Sequence, residues 1–120
     1  MYARHYKAGS TILDYGEQPS ELFFIKHGQV EMYAKGGVLE FGKLPSYSWF
    51  GDWCILHKLR SLVIYKSSPD EGQKSSLMLV LTKKKFNELM ELYPSIRKHY
   101  EELSLERRFE IHKQMNEATA

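Results

Sequence analysis

Short runs of strand-forming residues, each closed by a turn signal, fill the first two thirds of the chain. Glycine, proline, serine or aspartate interrupts these runs about every 8–12 residues. Strands are predicted at residues 2–7, 11–13, 21–25, 29–33, 38–44, 61–66 and 76–81, with a polar hairpin loop at 67–75. Such regularly spaced short strands favour a small antiparallel barrel or sandwich. A chain of 120 residues supports one domain with one modest core.

Two helices are predicted after the last strand. Thr82 can cap a helix that begins at Lys83, and Pro94 is expected to end it. Ser95 can then cap a second helix over residues 96–115. The apolar face of the first helix is predicted to contain Phe86, Leu89, Met90 and Tyr93. The stripe of the second helix that is predicted to face the barrel contains Ile96, Tyr100, Leu103, Arg107 and Ile111. A second, sparser line contains Leu105, Phe109 and His112. This line either binds a partner or lies partly exposed.

Net charge and cysteine content narrow the possible classes of protein. The net charge is +2, so no global field attracts nucleic acid. Cys54 is the only cysteine, which excludes an intrachain disulfide and fits a reducing compartment. No apolar run approaches the roughly 18 residues of a transmembrane candidate, and the N-terminus lacks a signal-peptide layout. We therefore expect this piece to be soluble, without direct membrane insertion.

Enzymatic and DNA-binding functions receive little support from the sequence. A metal-dependent enzyme on a similar barrel needs clustered ligands. The histidines are instead spread along the chain, at His5, His27, His57, His99 and His112. A transcription factor would need a helix-turn-helix after the last helix, and the sequence through Ala120 shows none. We expect no metal, no enzymatic activity and no nucleic-acid partner.

The stretch from Trp49 to Ser61 has the chemistry of a pocket for a small phosphate ester. Gly51 lets the backbone approach closely, and a helical turn at 54–57 would offer free N–H groups. Arg60 can hold two phosphate oxygens, and one positive charge suits a monoanion such as a cyclic phosphodiester. Because phosphate repels a carboxylate, Asp52 is expected to accept hydrogen bonds from sugar hydroxyls.

Each of these residues also has an ordinary structural interpretation. Taken alone, a Gly-Asp pair is more often a turn, and an isolated Arg60 is usually a solvated surface charge. Trp49 and Trp53 would usually be core residues, and Cys54 a small buried filler. Only the combination favours a binding site.

The combination resembles the phosphate-binding cassette of the cyclic-nucleotide-binding domain. Phe50-Gly51-Asp52 is followed by the apolar run 53–56, the spacer 57–59 and Arg60-Ser61-Leu62. The segment 16–33 with its Gly28 turn resembles the early strands of this family. Leu92-Tyr93-Pro94-Ser95-Ile96-Arg97 resembles the helix junction of hyperpolarisation-activated and cyclic-nucleotide-gated channels. The resemblance covers roughly residues 2–115. It implies a mainly β fold, a double-stranded β-helix (jelly-roll) barrel at about 2–82, with a cassette helix and two C-terminal helices at about 83–115.

The resemblance also implies a ligand and a role for each site residue. The ligand would be cyclic AMP or cyclic GMP, with no further cofactor. Arg60 would pair with the cyclic phosphate, and Asp52 would take the ribose 2′-hydroxyl beside Gly51. Arg107 and Ile111 would cap the base. The N–H groups around Cys54 and Ile55, together with the Ser61 hydroxyl, would complete the phosphate cradle. The implied ligand-binding positions are Gly51, Asp52, Trp53, Cys54, Ile55, Arg60, Ser61, Arg107 and Ile111.

The implied context is a regulatory domain on the cytoplasmic side of a membrane, within a larger potassium or non-selective cation channel. The other subunits of the parent protein, in a homotetramer, would be its partners. Asp52, Trp53 and Leu62 replace the family's usual Glu, smaller aliphatic residue and Ala, and the spacer is about one residue short. Ether-à-go-go-type channels keep this fold without using it for nucleotides, although they generally lack the arginine. A degenerate, non-binding domain that acts as a structural or interaction module therefore stays open as the alternative.

Overall fold

The computed structural model describes residues 1–119, and Ala120, the last residue of the predicted domain, lies outside them. Within the described residues the chain forms two four-stranded antiparallel sheets and three helices. The strands are β1 (Tyr2–Lys7), β2 (Thr11–Leu13), β3 (Glu21–His27), β4 (Gln29–Tyr33), β5 (Glu40–Leu44), β6 (Trp49–Phe50), β7 (Ile64–Ser68) and β8 (Ser75–Thr82). The helices are α1 (Asp52–Leu56), α2 (Lys83–Leu92) and α3 (Pro94–Thr119).

The strand order shows how the chain winds between the two sheets. One sheet has the order β1-β8-β3-β6 and the other β2-β7-β4-β5, so hydrogen-bonded neighbours are mostly distant in sequence. Along β3, β4 and β8 the burial alternates, which puts one set of side chains between the sheets. The predicted β-rich jelly-roll architecture with C-terminal helices is confirmed.

A column of aromatic rings fixes the position of β6 and of the helix that follows it. Phe50 stacks on Phe23 with ring centroids 5.1 Å apart, and on Tyr65 at 4.7 Å. Trp53 belongs to the same core cluster. Aromatic pairs of this kind add about 0.5–1.5 kcal/mol beyond the burial of their area. The column therefore holds the start of the 49–61 stretch against both sheets.

Several predicted strand boundaries were wrong. The strand predicted at 21–25 extends to His27, and the one predicted at 76–81 spans Ser75–Thr82. The strand predicted at 38–44 begins at Glu40, because two consecutive glycines with positive φ turn the chain and leave Val38 exposed. The strand predicted at 61–66 begins at Ile64, because the Ser61 hydroxyl donates to the Val63 carbonyl and accepts from its N–H, which closes a local turn. It ends at Ser68, so the predicted hairpin loop is shorter.

The helix boundaries also differ in part from the prediction. Thr82 caps α2 as predicted, its hydroxyl accepting from the Lys85 N–H at 3.2 Å. The helix ends at Leu92, and α3 begins at Pro94 itself. Proline suits the first helical position because its missing N–H has no partner there anyway. At its other end α3 extends to Thr119, beyond the predicted end at residue 115.

Only part of the predicted helix faces is buried. On α3 the residues that meet the rest of the domain include Tyr100, Ser104, Arg107 and Ile111, whereas Ile96 and Leu103 are exposed. The predicted stripe was wrong at these two positions because α3 packs on α1 and β5 through the line that contains Ser104, not Leu103. On α2, Leu89 and Tyr93 are exposed as well, contrary to the prediction. In the sparser line of α3, Leu105 and Phe109 are exposed but His112 packs edge-on against Trp53.

A second, smaller core joins α2 and α3 to the sandwich. We call it the elbow cluster; its buried members are Leu22, Ile55, Leu81 and Phe86. Tyr100 packs against it, with its ring 5.9 Å from that of Phe86. The cluster fixes the beginning of α3 next to α1. Among residues 1–119, none of the helices combines the length and the apolar character needed to cross a membrane.

Candidate functional site

The loop between β6 and α1 carries the candidate site into the interior of the sandwich. β6 pairs with β3, and Gly51 then turns the chain with φ 86° and ψ −10°. This left-handed conformation favours glycine, which also has no side chain to occupy the first N–H groups of α1. All residues from Gly51 to Ile55 are buried. The helix predicted at 54–57 in fact spans Asp52–Leu56.

Gly51→Ala is expected to lower the free energy of unfolding by about 1–2 kcal/mol, since a residue with a Cβ is strained at positive φ. The new Cβ would make only ordinary van der Waals contacts, 3.4 Å from the Glu21 carbonyl oxygen and 3.6 Å from the Leu22 Cα, so the cost comes from the backbone conformation. Gly16→Ala is the comparison and is expected to cost a similar amount, because Gly16 has φ 79° with open space around it. Urea unfolding of both variants measures the two losses. A much larger loss at Gly51 than at Gly16 would show that packing, and not backbone conformation, determines the cost.

Asp52 is fully buried and is held by the last helix. Its Oδ2 accepts hydrogen bonds from the Tyr100 hydroxyl at 3.1 Å and from the Arg107 guanidinium at 2.7 Å. The contact with Arg107 is also an ion pair. Arg107 also donates to the Trp49 carbonyl oxygen. The other carboxylate oxygen, Oδ1, is buried without a hydrogen-bond partner among the described residues. Asp52, which was predicted to bind the ribose, and Arg107, which was predicted to cap the base, therefore contact one another directly.

The pKa of the Cys54 thiol is raised in this buried site, close to Asp52. Burial, reinforced by the negative charge of Asp52, raises the pKa of the Cys54 thiol to about 12. The thiol therefore stays protonated near neutral pH, and a protonated thiol is a poor nucleophile. Cys54 is buried in the main core, in agreement with its interpretation as a small filler.

Arg60 and Ser61 lie against the turn that contains Gly16. The Ser61 N–H donates to the Glu17 carbonyl, and the Gly16 N–H donates to the Ser61 carbonyl at 2.7 Å. The exposed Arg60 side chain donates to the Gly16 carbonyl at 2.9 Å. Ser61 is buried and its hydroxyl is committed to the Val63 backbone. Neither side chain contacts Asp52 in this arrangement, and their predicted phosphate roles stay predictions.

A cleft of about 420 Å³ separates β5 from α3. Arg107 and Ile111, the residues predicted to cap a base, line it together with Leu44. Its other lining residues are Met32 and four polar or charged residues to which the sequence did not point, Lys43, Glu106, Glu110 and Gln114. The lining is therefore mixed, with both signs of charge, and more of its residues are polar than in most small-molecule sites.

Further contacts between α3 and α1 were missed at the level of sequence. His57 Nε2 lies 3.2 Å from the Ser104 hydroxyl, and Trp53 packs against His112. Burial, together with the positive charge of Arg108, lowers the pKa of His112. Tyr100 was predicted only as part of an apolar stripe; its hydroxyl gave no signal because its partner is distant in sequence. Within residues 1–119, His, Cys, Asp and Glu side chains form no group of three that could hold a metal ion.

Known proteins resemble this chain over most of its length. The potassium/sodium hyperpolarization-activated cyclic nucleotide-gated channel 4 of Homo sapiens is 28% identical over 102 residues. The match covers 85% of this chain but only 8% of the channel, so the chain spans less than a tenth of that relative.

Two solved structures share the fold. PKAR CBD2 with bound Sp-2Cl-cAMPS aligns with a TM-score of 0.73 at 17% identity, covering 97% of this chain and 70% of that one. Thermus thermophilus catabolite activator protein also aligns with a TM-score of 0.73, at 19% identity, covering 97% of this chain and 53% of that one. The family model described as the cyclic nucleotide-binding domain matches residues 3–93, which include the whole 49–61 stretch and both sheets. The chain therefore belongs to the cyclic nucleotide-binding domain family.

Proposed function

We propose that this domain binds cyclic AMP or cyclic GMP between the cassette and α3, and that the ligand changes how α3 docks. The observation that carries the proposal is the buried Asp52 carboxylate with its unpaired Oδ1. A buried acceptor is costly unless another protein group, a water or a ligand donates to it. The 2′-hydroxyl of a ribose is a donor that would satisfy this acceptor.

The remaining parts of a cyclic nucleotide would bind other groups of the cassette and of α3. The phosphate monoanion would meet the backbone N–H groups around Cys54 and Ile55, and Arg60 would turn from the Gly16 carbonyl to pair with it. Exchanging one carbonyl for a charged phosphate oxygen favours this rotation, because hydrogen bonds between two charged groups are the stronger ones. The base would enter the cleft beside Ile111.

The docking of α3 supports a role in signalling. In this structure α3 covers Asp52, so a ligand can enter only if the helix lifts. Much of α3 is exposed, with Ser104 and Ile111 as its buried residues, so that its docking is marginal and easily biased by a ligand. The domain would lie on the cytoplasmic side of the membrane as part of a tetrameric channel. Movement of α3 would then be relayed to the gate of that channel, which would conduct potassium or cations non-selectively.

A structural or interaction module without a ligand is the second candidate. It is favoured by the contacts that Arg60 already makes with Gly16 and that Arg107 already makes with Asp52, since both occupy groups a nucleotide would use. Thermal unfolding with millimolar cyclic AMP or cyclic GMP separates the candidates. A ligand that binds the folded state raises the unfolding temperature, and the absence of any shift with both nucleotides favours the module.

Arg60→Ala is expected to weaken cyclic-nucleotide binding by about 1.5–3 kcal/mol, the range for hydrogen bonds to charged groups. Isothermal titration calorimetry with both nucleotides measures the loss. Lys58→Ala is the matched control, because Lys58 is an exposed cation of the same loop and its removal changes the net charge equally. If Arg60→Ala and the unmodified protein bind with equal affinity, Arg60 has no role in binding.

A further inference from the structure

The two oxygens of the Asp52 carboxylate have different surroundings. Oδ2 receives two donors, from Tyr100 and Arg107, and Oδ1 receives none. Aspartate has a short side chain whose terminal torsion is broad and roughly two-fold. Two donors on one oxygen restrict that torsion, so they also determine where the other oxygen points.

Tyr100 and Arg107 are anchored to different degrees. Tyr100 lies in the second turn of α3 and packs against Phe86 in the elbow cluster. Arg107 lies about two turns further along the helix, and its side chain is 35% exposed. If α3 lifts to admit a ligand, the part nearest α2 moves least. Tyr100 therefore keeps its place against α1 while Arg107 moves away.

The Tyr100 hydroxyl stays protonated and donates a hydrogen bond to Asp52. Burial, and then the negative charge of Asp52, raise the pKa of the Tyr100 phenol. The group keeps its proton at neutral pH, and its closest acceptor is Asp52 Oδ2.

We infer that Tyr100 is a positioning residue for ribose recognition: its hydroxyl fixes Asp52 Oδ2 and thereby aims Oδ1 at the 2′-hydroxyl of a bound nucleotide. The inference rests on the proposed function and extends it to a residue that does not itself touch the ligand. It also accounts for how an aspartate, with its short reach, serves here: a second side chain holds it in place.

The test is the ratio of affinities for cyclic AMP and 2′-deoxy cyclic AMP, measured by calorimetry. In the unmodified protein, loss of a hydroxyl that donates to a buried carboxylate is expected to weaken binding by about 10–100-fold. In Tyr100→Phe the ring still fills the elbow cluster, but Asp52 is less fixed, and the ratio is expected to fall below about 5-fold. Tyr93→Phe removes an exposed hydroxyl from the same junction and is expected to keep the unmodified ratio.

The outcomes separate this inference from the proposed function. If the unmodified protein binds neither nucleotide, the proposed function fails and this inference fails with it. If it binds and Tyr100→Phe keeps the full ratio, the inference alone is overturned. An equal loss of affinity for both nucleotides in Tyr100→Phe overturns it too, because a merely structural role would act on both ligands alike. Thermal unfolding of each variant confirms that the compared proteins are folded.

Discussion

Trp53→Ala is expected to lower the free energy of unfolding by about 3–5 kcal/mol, the range for removing a buried tryptophan or phenylalanine. Trp53 is 2% exposed and fills the space between the sandwich and His112 of α3. The stacked rings of Phe50 and Tyr65 beside it resist collapse into the cavity. Since domains of this size are stable by about 5–15 kcal/mol, the variant should be close to unfolding at 37 °C.

Trp49→Ala is the matched control for this substitution. Trp49 is only partly buried and packs against Phe24 on the other side of β6, and its contact with Arg107 uses a backbone oxygen that the variant keeps. Urea unfolding should therefore show a clearly smaller loss at Trp49 than at Trp53. A loss of under 1 kcal/mol for Trp53→Ala, on the scale of surface substitutions, would mean that this side chain is not the core of the cassette.

Arg107→Ala is the second substitution with a large expected effect. It leaves the fully buried Asp52 carboxylate without its charged partner, and loss of one member of a buried pair costs about 3–5 kcal/mol. Because the Arg107 side chain is 35% exposed and solvent screens part of the interaction, we expect about 2–3 kcal/mol. Equilibrium urea unfolding measures this value, and the loosened α3 should exchange its amide hydrogens faster.

Two further variants show whether the effect belongs to the ion pair. Arg108→Ala removes the same charge from the neighbouring residue, which the structure does not pair with Asp52, and should cost under about 1 kcal/mol. Arg107→Ala combined with Asp52→Asn should recover part of the loss, because the asparagine carries no buried charge. If Arg107→Ala and Arg108→Ala are equally stable, the contact with Asp52 contributes nothing and α3 is held by Ile111 and its apolar neighbours.

Asp52 would connect ligand binding with the docking of α3. Asp52 is at once the anchor of α3, through Oδ2, and the proposed acceptor for ribose, through Oδ1. A nucleotide on Oδ1 and Tyr100 on Oδ2 would favour the same orientation of the carboxylate, whereas lifting of α3 would break the contact of Arg107 with Oδ2. Ligand binding and the docking of α3 would therefore be coupled through one side chain, and the coupling is reciprocal.

The sequence alone determined the strand-rich body, the capped helix after Thr82, and the glycine turn with a helical turn after it in the cassette. These features depend on neighbours within about ten residues: alternation along a strand, turn residues at fixed positions, a hydroxyl three residues before an N–H. The family could be identified from the same local pattern, since Phe50-Gly51-Asp52 and Arg60-Ser61 are contiguous motifs.

Only the tertiary structure decided what Asp52 contacts and which face of α3 is buried. Periodicity gives the spacing of a helical face but not its rotation or its offset along the partner, and both are fixed here by the elbow cluster. That placement leaves Ile96 and Leu103 exposed and brings Arg107, 55 residues away in sequence, onto Asp52. A charge pair of this kind is set by the docking of whole elements, because opposite charges on a sequence have many possible partners and only packing brings two of them together.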